Sequence, residues 1–143
     1  MKVKRFLAAA CSLFIVALGW NALVHLVLLR TTEAQMSAVF RSDAAQNWWL
    51  GLLLTFALVS LFVVGYHQFA RSLSLSEALK FGLYFGVLAV LLVDVNQYLL
   101  YPVPGRLVLE WSFFGVLEFL VYAVVIRWLY VRGGWRAKNS AGA

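Results

Sequence analysis

Scarcity is informative in this chain, which has one cysteine, two prolines, two histidines and six acidic residues among 143. The single thiol, Cys11, cannot close an internal disulfide or supply the thiolate cluster of a zinc or iron–sulfur site. Charged residues make up 13% of the chain, where a soluble domain carries about 25%. So few charges cannot coat a globule, so most of the surface must meet lipid. Chemistry-bearing patterns are equally sparse. Ser60, Ser112 and Thr55 sit in no nucleophile elbow or base-bearing motif. The Glu-x-x-His pairs of bundle metal sites are missing. The expectation is a protein without enzyme activity, cofactor or bound metal.

What the chain has in abundance is apolar residues, at 64% with a mean hydropathy of +0.86. They fall into four runs, at residues 6–29, 48–66, 81–101 and 107–126. A helix rises about 1.5 Å per residue and a bilayer core is about 30 Å thick, so each run can cross or nearly cross it. None alternates as a strand would, and lipid leaves backbone groups no partners outside a helix or a closed barrel. The expected fold is therefore all-α, a membrane-embedded four-helix bundle over residues 1–132, with a short flexible cytoplasmic tail at 133–143. The first run is read as a retained helix and not a cleaved leader, because it is long and lacks a small-residue cleavage pattern. Cys11 lies in LAAAC, but only five apolar residues separate it from the basic cluster Lys2, Lys4 and Arg5. That is too short for a lipoprotein signal core, so Cys11 is expected to be a buried thiol within the span.

The net charge of +6 raises the question of nucleic acid. The basic residues flank apolar runs and form no patch interleaved with aromatics, so membrane topology explains them and no nucleic-acid partner is expected. Lys2, Lys4, Arg5, Arg71, Lys80, Arg127, Arg132, Arg136 and Lys138 belong to the ends and the second loop; only Arg30, Arg41 and Arg106 belong to the first and third loops. By the positive-inside rule both termini face the cytoplasm of a bacterial inner membrane. Trp48, Trp49, Tyr66, Tyr101, Trp111, Trp128, Tyr130 and Trp135 fall near the expected interfaces, as an aromatic belt would. In the first loop Met36, Val39 and Phe40 have the spacing of an apolar stripe on a surface helix, with a plain solvated loop as the alternative. Ser74 and Glu77 have the spacing of a capping box, which starts the third helix.

Against this background the polar residues inside the runs stand out. Asn21 and His25 are four residues apart, Asp94 and Gln97 three, and Glu118 and Tyr122 four, so each pair shares a helix face. Asn96 points elsewhere. Asp94 lies seven residues before Tyr101, about 10 Å below the outer interface at helical rise. Asn21 is at a similar depth, with His25 and Gln97 nearer the outer surface. Glu110 lies just inside the fourth span, and Glu118 is near its middle. Ionised carboxylates at depth are expensive, so these groups should face inward, pair or take up a proton. Asn21, His25, Asp94, Gln97, Glu110 and Glu118 form the candidate intramembrane cluster. It reads either as a helix–helix hydrogen-bond network or as a proton or ion site.

Gly82 and Gly86 form a GxxxG motif that lets a helix approach closely, either within the chain or from a second copy. Gly115 and Gly19 offer further small positions. After the third span, Tyr101-Pro102-Val103-Pro104-Gly105 stops the helix, and Pro104-Gly105 reads as a turn dipeptide with glycine tolerating positive φ. The resulting short hairpin makes the third and fourth helices antiparallel neighbours.

Three stretches, Gly19-Trp20 followed by His25, Glu77-Ala78-Leu79-Lys80-Phe81-Gly82-Leu83, and Tyr101-Pro102-Val103-Pro104-Gly105 with Trp111 and Gly115-Val116-Leu117-Glu118, occur in order. This resembles a family of small bacterial four-helix inner-membrane proteins with an aromatic-Pro-x-Pro-Gly hairpin and no assigned activity. The resemblance implies the four-span layout and no substrate; Asp94 departs from it, since a neutral or small residue would be expected there. The function expected is that of an accessory, assembly or interaction partner, contacting the bilayer and a membrane-protein partner or a second copy. The alternative is a small oligomeric transporter or proton/ion channel using Asp94, His25 and Glu118.

Overall fold

The computed structural model describes residues 2–34 and 47–134. The expected surface stripe at Met36, Val39 and Phe40, and all of the tail from Trp135 onward, lie outside the described residues. Five helices are described: α1 (Val3–Leu28), α2 (Arg30–Ala34), α3 (Trp48–Phe69), α4 (Leu75–Leu100) and α5 (Gly105–Arg132). Four of them, all but α2, are long and apolar enough to cross a membrane. The described residues contain no strand.

Local chemistry sets the helix ends. Asn47 caps α3 by accepting from the Leu50 N–H at 3.2 Å, and Ser74 caps α4 by accepting from the Glu77 N–H at 3.2 Å. Glu77 does not complete the expected box by returning to Ser74. Its carboxylate reaches past it to the backbone N–H groups of Ser72, at 2.8 Å, and Arg71. The α3–α4 turn is thus tied to the first turn of α4, where a negative group also suits the helix dipole. Arg127 adds a bond from its Nε to the Leu73 carbonyl at 2.9 Å, fixing the same turn to α5.

At the other end, α4 stops at Leu100 and Tyr101 is extended (φ −128°, ψ 152°), as the residue before a proline prefers to be. Here the turn expected from Pro104-Gly105 needs correction. Pro104 is itself the N-cap (φ −59°, ψ 133°) and Gly105 is the first helical residue of α5. Gly134 is the only described glycine at positive φ. The turn runs through an extended Tyr101 and Pro104 without a left-handed residue. Val103, Leu107 and Val108 bury together against Trp111 and pin the hairpin to the start of α5.

α1 ends in a π-helical stretch, Val24–Leu28, and α4 contains one at Val90–Asp94 before its last turns, Val95–Leu100. After the first of these Leu29 breaks the ladder, and α2 continues the chain for five residues where a loop was expected.

α4 and α5 pack most extensively, α1 lies against α3 and α5, and α3 touches α4 only slightly. The α4–α5 contact is close because of the expected GxxxG pair. A Cβ built on Gly82 would meet the Phe119 carbonyl oxygen at 2.6 Å and Ala123 Cβ at 2.8 Å. One on Gly86 would lie 3.0 Å from Val116 Cα. The motif therefore seats a helix of the same chain. On α1 the small residues Ala9, Ala10 and Ala17 with Leu13 form the buried stripe, and Gly19 meets nothing within 4 Å.

The core occupies the half of the bundle nearest the termini. Phe62 on α3 lies edge-on to Phe81 (5.0 Å), Phe85 (5.2 Å) and Tyr122 (5.8 Å). Tyr66 continues the cluster to Phe81 and Tyr130. Two sequence expectations change here. Tyr66 and Tyr130 are fully buried core residues and not members of an aromatic belt. Cys11 is exposed, because it falls beside the Ala9/Ala10/Leu13 stripe and points away from the core. Large apolar side chains cover the exterior of the long helices, among them Ile15, Leu53, Leu61, Leu92 and Leu109, whereas the described residues include no fully buried polar or charged one.

Candidate functional site

Between the aromatic core and the α4–α5 hairpin the helices diverge around a cavity of about 740 Å³. Its walls come from α1, α4 and α5, with Leu58 reaching in from α3. Five of the six residues singled out in the sequence line it: Asn21, His25, Asp94, Gln97 and Glu118. The physical reason is that α1 and α4 run parallel across one face of α5. Their polar pairs at matching height turn toward the same space.

Glu118 forms the floor. Its Oε1 accepts from Asn21 Nδ2 on α1 at 3.1 Å and from the Tyr122 hydroxyl one turn along α5. The second Asn21 amide hydrogen bonds back to the Ala17 carbonyl at 2.9 Å. Asn21 therefore links the α1 backbone to a carboxyl on α5. Tyr122 ties Glu118 directly to the aromatic core, since its ring packs on Phe62 and Phe119.

Asp94 is half-buried on the α4 wall, at the last position of that helix's π stretch. It faces α5 where that helix is narrowest: a Cβ on Gly115 would stand 4.0 Å from Asp94 Oδ2, and Ser112 hydrogen-bonds the carboxyl. The two π stretches carry His25 and Asp94 respectively. Such insertions occur mostly as local features at functional positions, because the extra residue redirects side chains and loosens the ladder.

The mouth of the cavity holds a group that the sequence reading left in a loop. Glu33 Oε1 accepts from the Trp111 indole Nε1 at 2.9 Å and lies 2.6 Å from His25 Nδ1. One carboxylate thus joins α1, α2 and α5. The signal was present in the sequence, since Arg30-Thr31-Thr32-Glu33-Ala34 contains no glycine or proline to end the helical path after His25. Trp20 and Ser112 were likewise not expected at the site.

Glu110 stands apart from the cavity and has to be removed from the cluster. It is two helical turns from Glu118 and its Oε1 pairs with Arg106 Nε at 2.9 Å along the same helix. It faces a separate groove beside Leu28, Leu29 and Phe113. Asn96 is exposed and lines no cavity wall.

Chemically the site is rich in acceptors and poor in cations. Three carboxylates and one imidazole line it, and none of the described lining residues is lysine or arginine. No group of three or more His, Cys, Asp or Glu among the described residues is arranged to hold a metal ion. Compared with protein-family models, curated proteins and solved structures, the chain has a significant match to none.

Proposed function

We propose that the chain is a four-span integral protein of the bacterial inner membrane, with both termini in the cytoplasm, that works without catalysis as an accessory or interaction partner. The four long apolar helices and their leucine-rich exterior support insertion. The nine basic residues at the ends and the α3–α4 turn, against three elsewhere, support the orientation. The resemblance to small bacterial four-helix inner-membrane proteins, carried by the hairpin and glycine motifs, agrees with this layout.

The observation that carries the choice of class is the aromatic floor. Phe119, which lines the cavity, packs on Phe62 and Phe85 at 5.8 Å each. The cavity is therefore a recess that ends in packed rings, suited to holding a group that enters from the hairpin end. A transporter or proton channel using Asp94, His25 and Glu118 is the second reading. It is favoured by Glu118, whose partner Tyr122 belongs to that floor.

Two measurements test the proposal. In a Cys11→Ser chain, a membrane-impermeant maleimide applied to intact spheroplasts should label Thr31→Cys and spare Ser76→Cys; the reverse pattern defeats the orientation. Proteoliposomes of the parent chain loaded with a pH-sensitive dye should acidify no faster than empty liposomes. A proton flux that disappears in Glu118→Gln would replace the accessory reading with the transport one.

A further inference from the structure

We propose that the cavity is a binding site for an organic cation, an ammonium-type or similarly diffuse positive charge carried on an apolar body. This deepens the preceding reading, on which it rests for treating the cavity as the recognition site.

The charge balance points to the sign of the ligand. Glu33 has His25 and Trp111 as internal donors. Glu118 has two neutral donors, Asn21 and Tyr122, and both reach Oε1, so neither directs Oε2. Asp94 has the neutral Ser112 hydroxyl and, across from it, the bare backbone of Gly115. Even with His25 protonated against Glu33, Asp94 and Glu118 share a recess with no lysine or arginine among the described lining residues. Half-buried carboxylates in an apolar surrounding favour either a proton or a countercharge. A ligand cation supplies the second.

The walls point to the kind of cation. Trp20, Trp111, Phe114 and Phe119 line the same space as the two carboxylates. Aromatic faces attract diffuse organic cations and accept their apolar substituents. Val24, Leu58, Val90 and Val93 complete an apolar lining. The volume of about 740 Å³ lies within the roughly 300–1,000 Å³ of small-molecule sites, far larger than a dehydrated metal ion needs. The described residues also offer no metal-holding group. Asp94 on α4 and Glu118 on α5 line the same space, so a cation entering from the hairpin end would meet Glu33 and His25 first and then sit beside these two carboxyls.

The test uses two probes of the same shape and opposite charge, tetraphenylphosphonium and tetraphenylborate, with the full chain in detergent. Displacement of labelled tetraphenylphosphonium by the unlabelled ion should reveal one saturable site per chain, and labelled tetraphenylborate, assayed in separate samples because the two ions pair with each other, should show none. Glu118→Gln and Asp94→Asn should each weaken binding by about tenfold, with unchanged thermal melting showing that the fold is intact. The parent chain alone decides the matter if a variant misfolds. Saturable binding of tetraphenylborate with equal affinity, absence of saturable tetraphenylphosphonium binding, or parent-like affinity in both folded neutral variants would overturn the proposal. Saturable, charge-selective binding together with tetraphenylphosphonium flux faster than that of empty liposomes would uphold this inference while overturning the accessory reading, so the two fail separately.

Discussion

The half of the bundle nearest the termini and the half nearest the hairpin are made from the same long helices, yet they pack by different rules. Near the termini, glycine lets α4 close on α5 and aromatic rings from three helices interlock around Phe62. Nearly all of the fully buried side chains belong to this half. Toward the hairpin the helices separate, two π stretches interrupt them, and contacts between helices pass through polar side chains: Asn21 to Glu118, and Glu33 to His25 and Trp111. The comparison teaches that van der Waals closeness holds one half together and leaves the other free to keep a polar recess.

Breaking the packed half should have the largest effect. Phe62→Ala removes a fully buried ring from the centre of the cluster and should cost about 3–5 kcal/mol, read from denaturant unfolding in mixed micelles. Gly82→Leu would drive a side chain into the Phe119 carbonyl and should cost about 1–3 kcal/mol, with a loss of α4–α5 cross-linking between engineered cysteines. At the cavity wall, Leu58→Ala enlarges a space that already exists. It should cost under about 1.5 kcal/mol by its lost apolar burial alone; a cost equal to that of Phe62→Ala would erase the distinction between the halves. Gly19→Ala should have the opposite sign, because nothing stands within 4 Å of a Cβ there and alanine favours a helix interior by about 0.5–1 kcal/mol. The smallest effect sharpens the polar side of the comparison. A double-mutant cycle of Asn21→Ala with Glu118→Ala, each of which removes the bond, should yield a coupling of about 0.6 kcal/mol, the usual worth of such a bond between membrane helices. Zero coupling would mean that the contact holds no part of the bundle together.

Much of this arrangement was legible beforehand, and the particular residues explain why. The hydrophobic runs gave the four helices because length and uniform apolarity leave few other solutions. Asn21 and Asp94 were matched by counting helical rise from the span ends, a measure that survives small errors in boundary. The failures have equally local causes. Tyr66 and Tyr130 sit near run ends, where tyrosine suits an interface, but packing against Phe81 and Arg127's anchoring of the α3–α4 turn draw that end into the core. Glu110 was placed in the cluster as a carboxylate just inside the fourth run, although helical rotation and Arg106 turn it elsewhere. Glu33 was missed because the end of an uncharged run was taken as the end of helical structure.

By itself the sequence determined that this chain forms long apolar helices, where the third one stops, and which polar residues share a helix face. These follow from backbone hydrogen bonding, the fixed geometry of proline and the 3.6-residue period, all of which act within a few residues. Only the tertiary structure decided that Gly82 and Gly86 receive α5, that Asn21 bonds Glu118 across 97 positions, and that Glu33 closes the mouth of the cavity. Those outcomes depend on the order and rotation of helices around one another. That order is set by side-chain shapes meeting at distance, and no count along a single helix contains it.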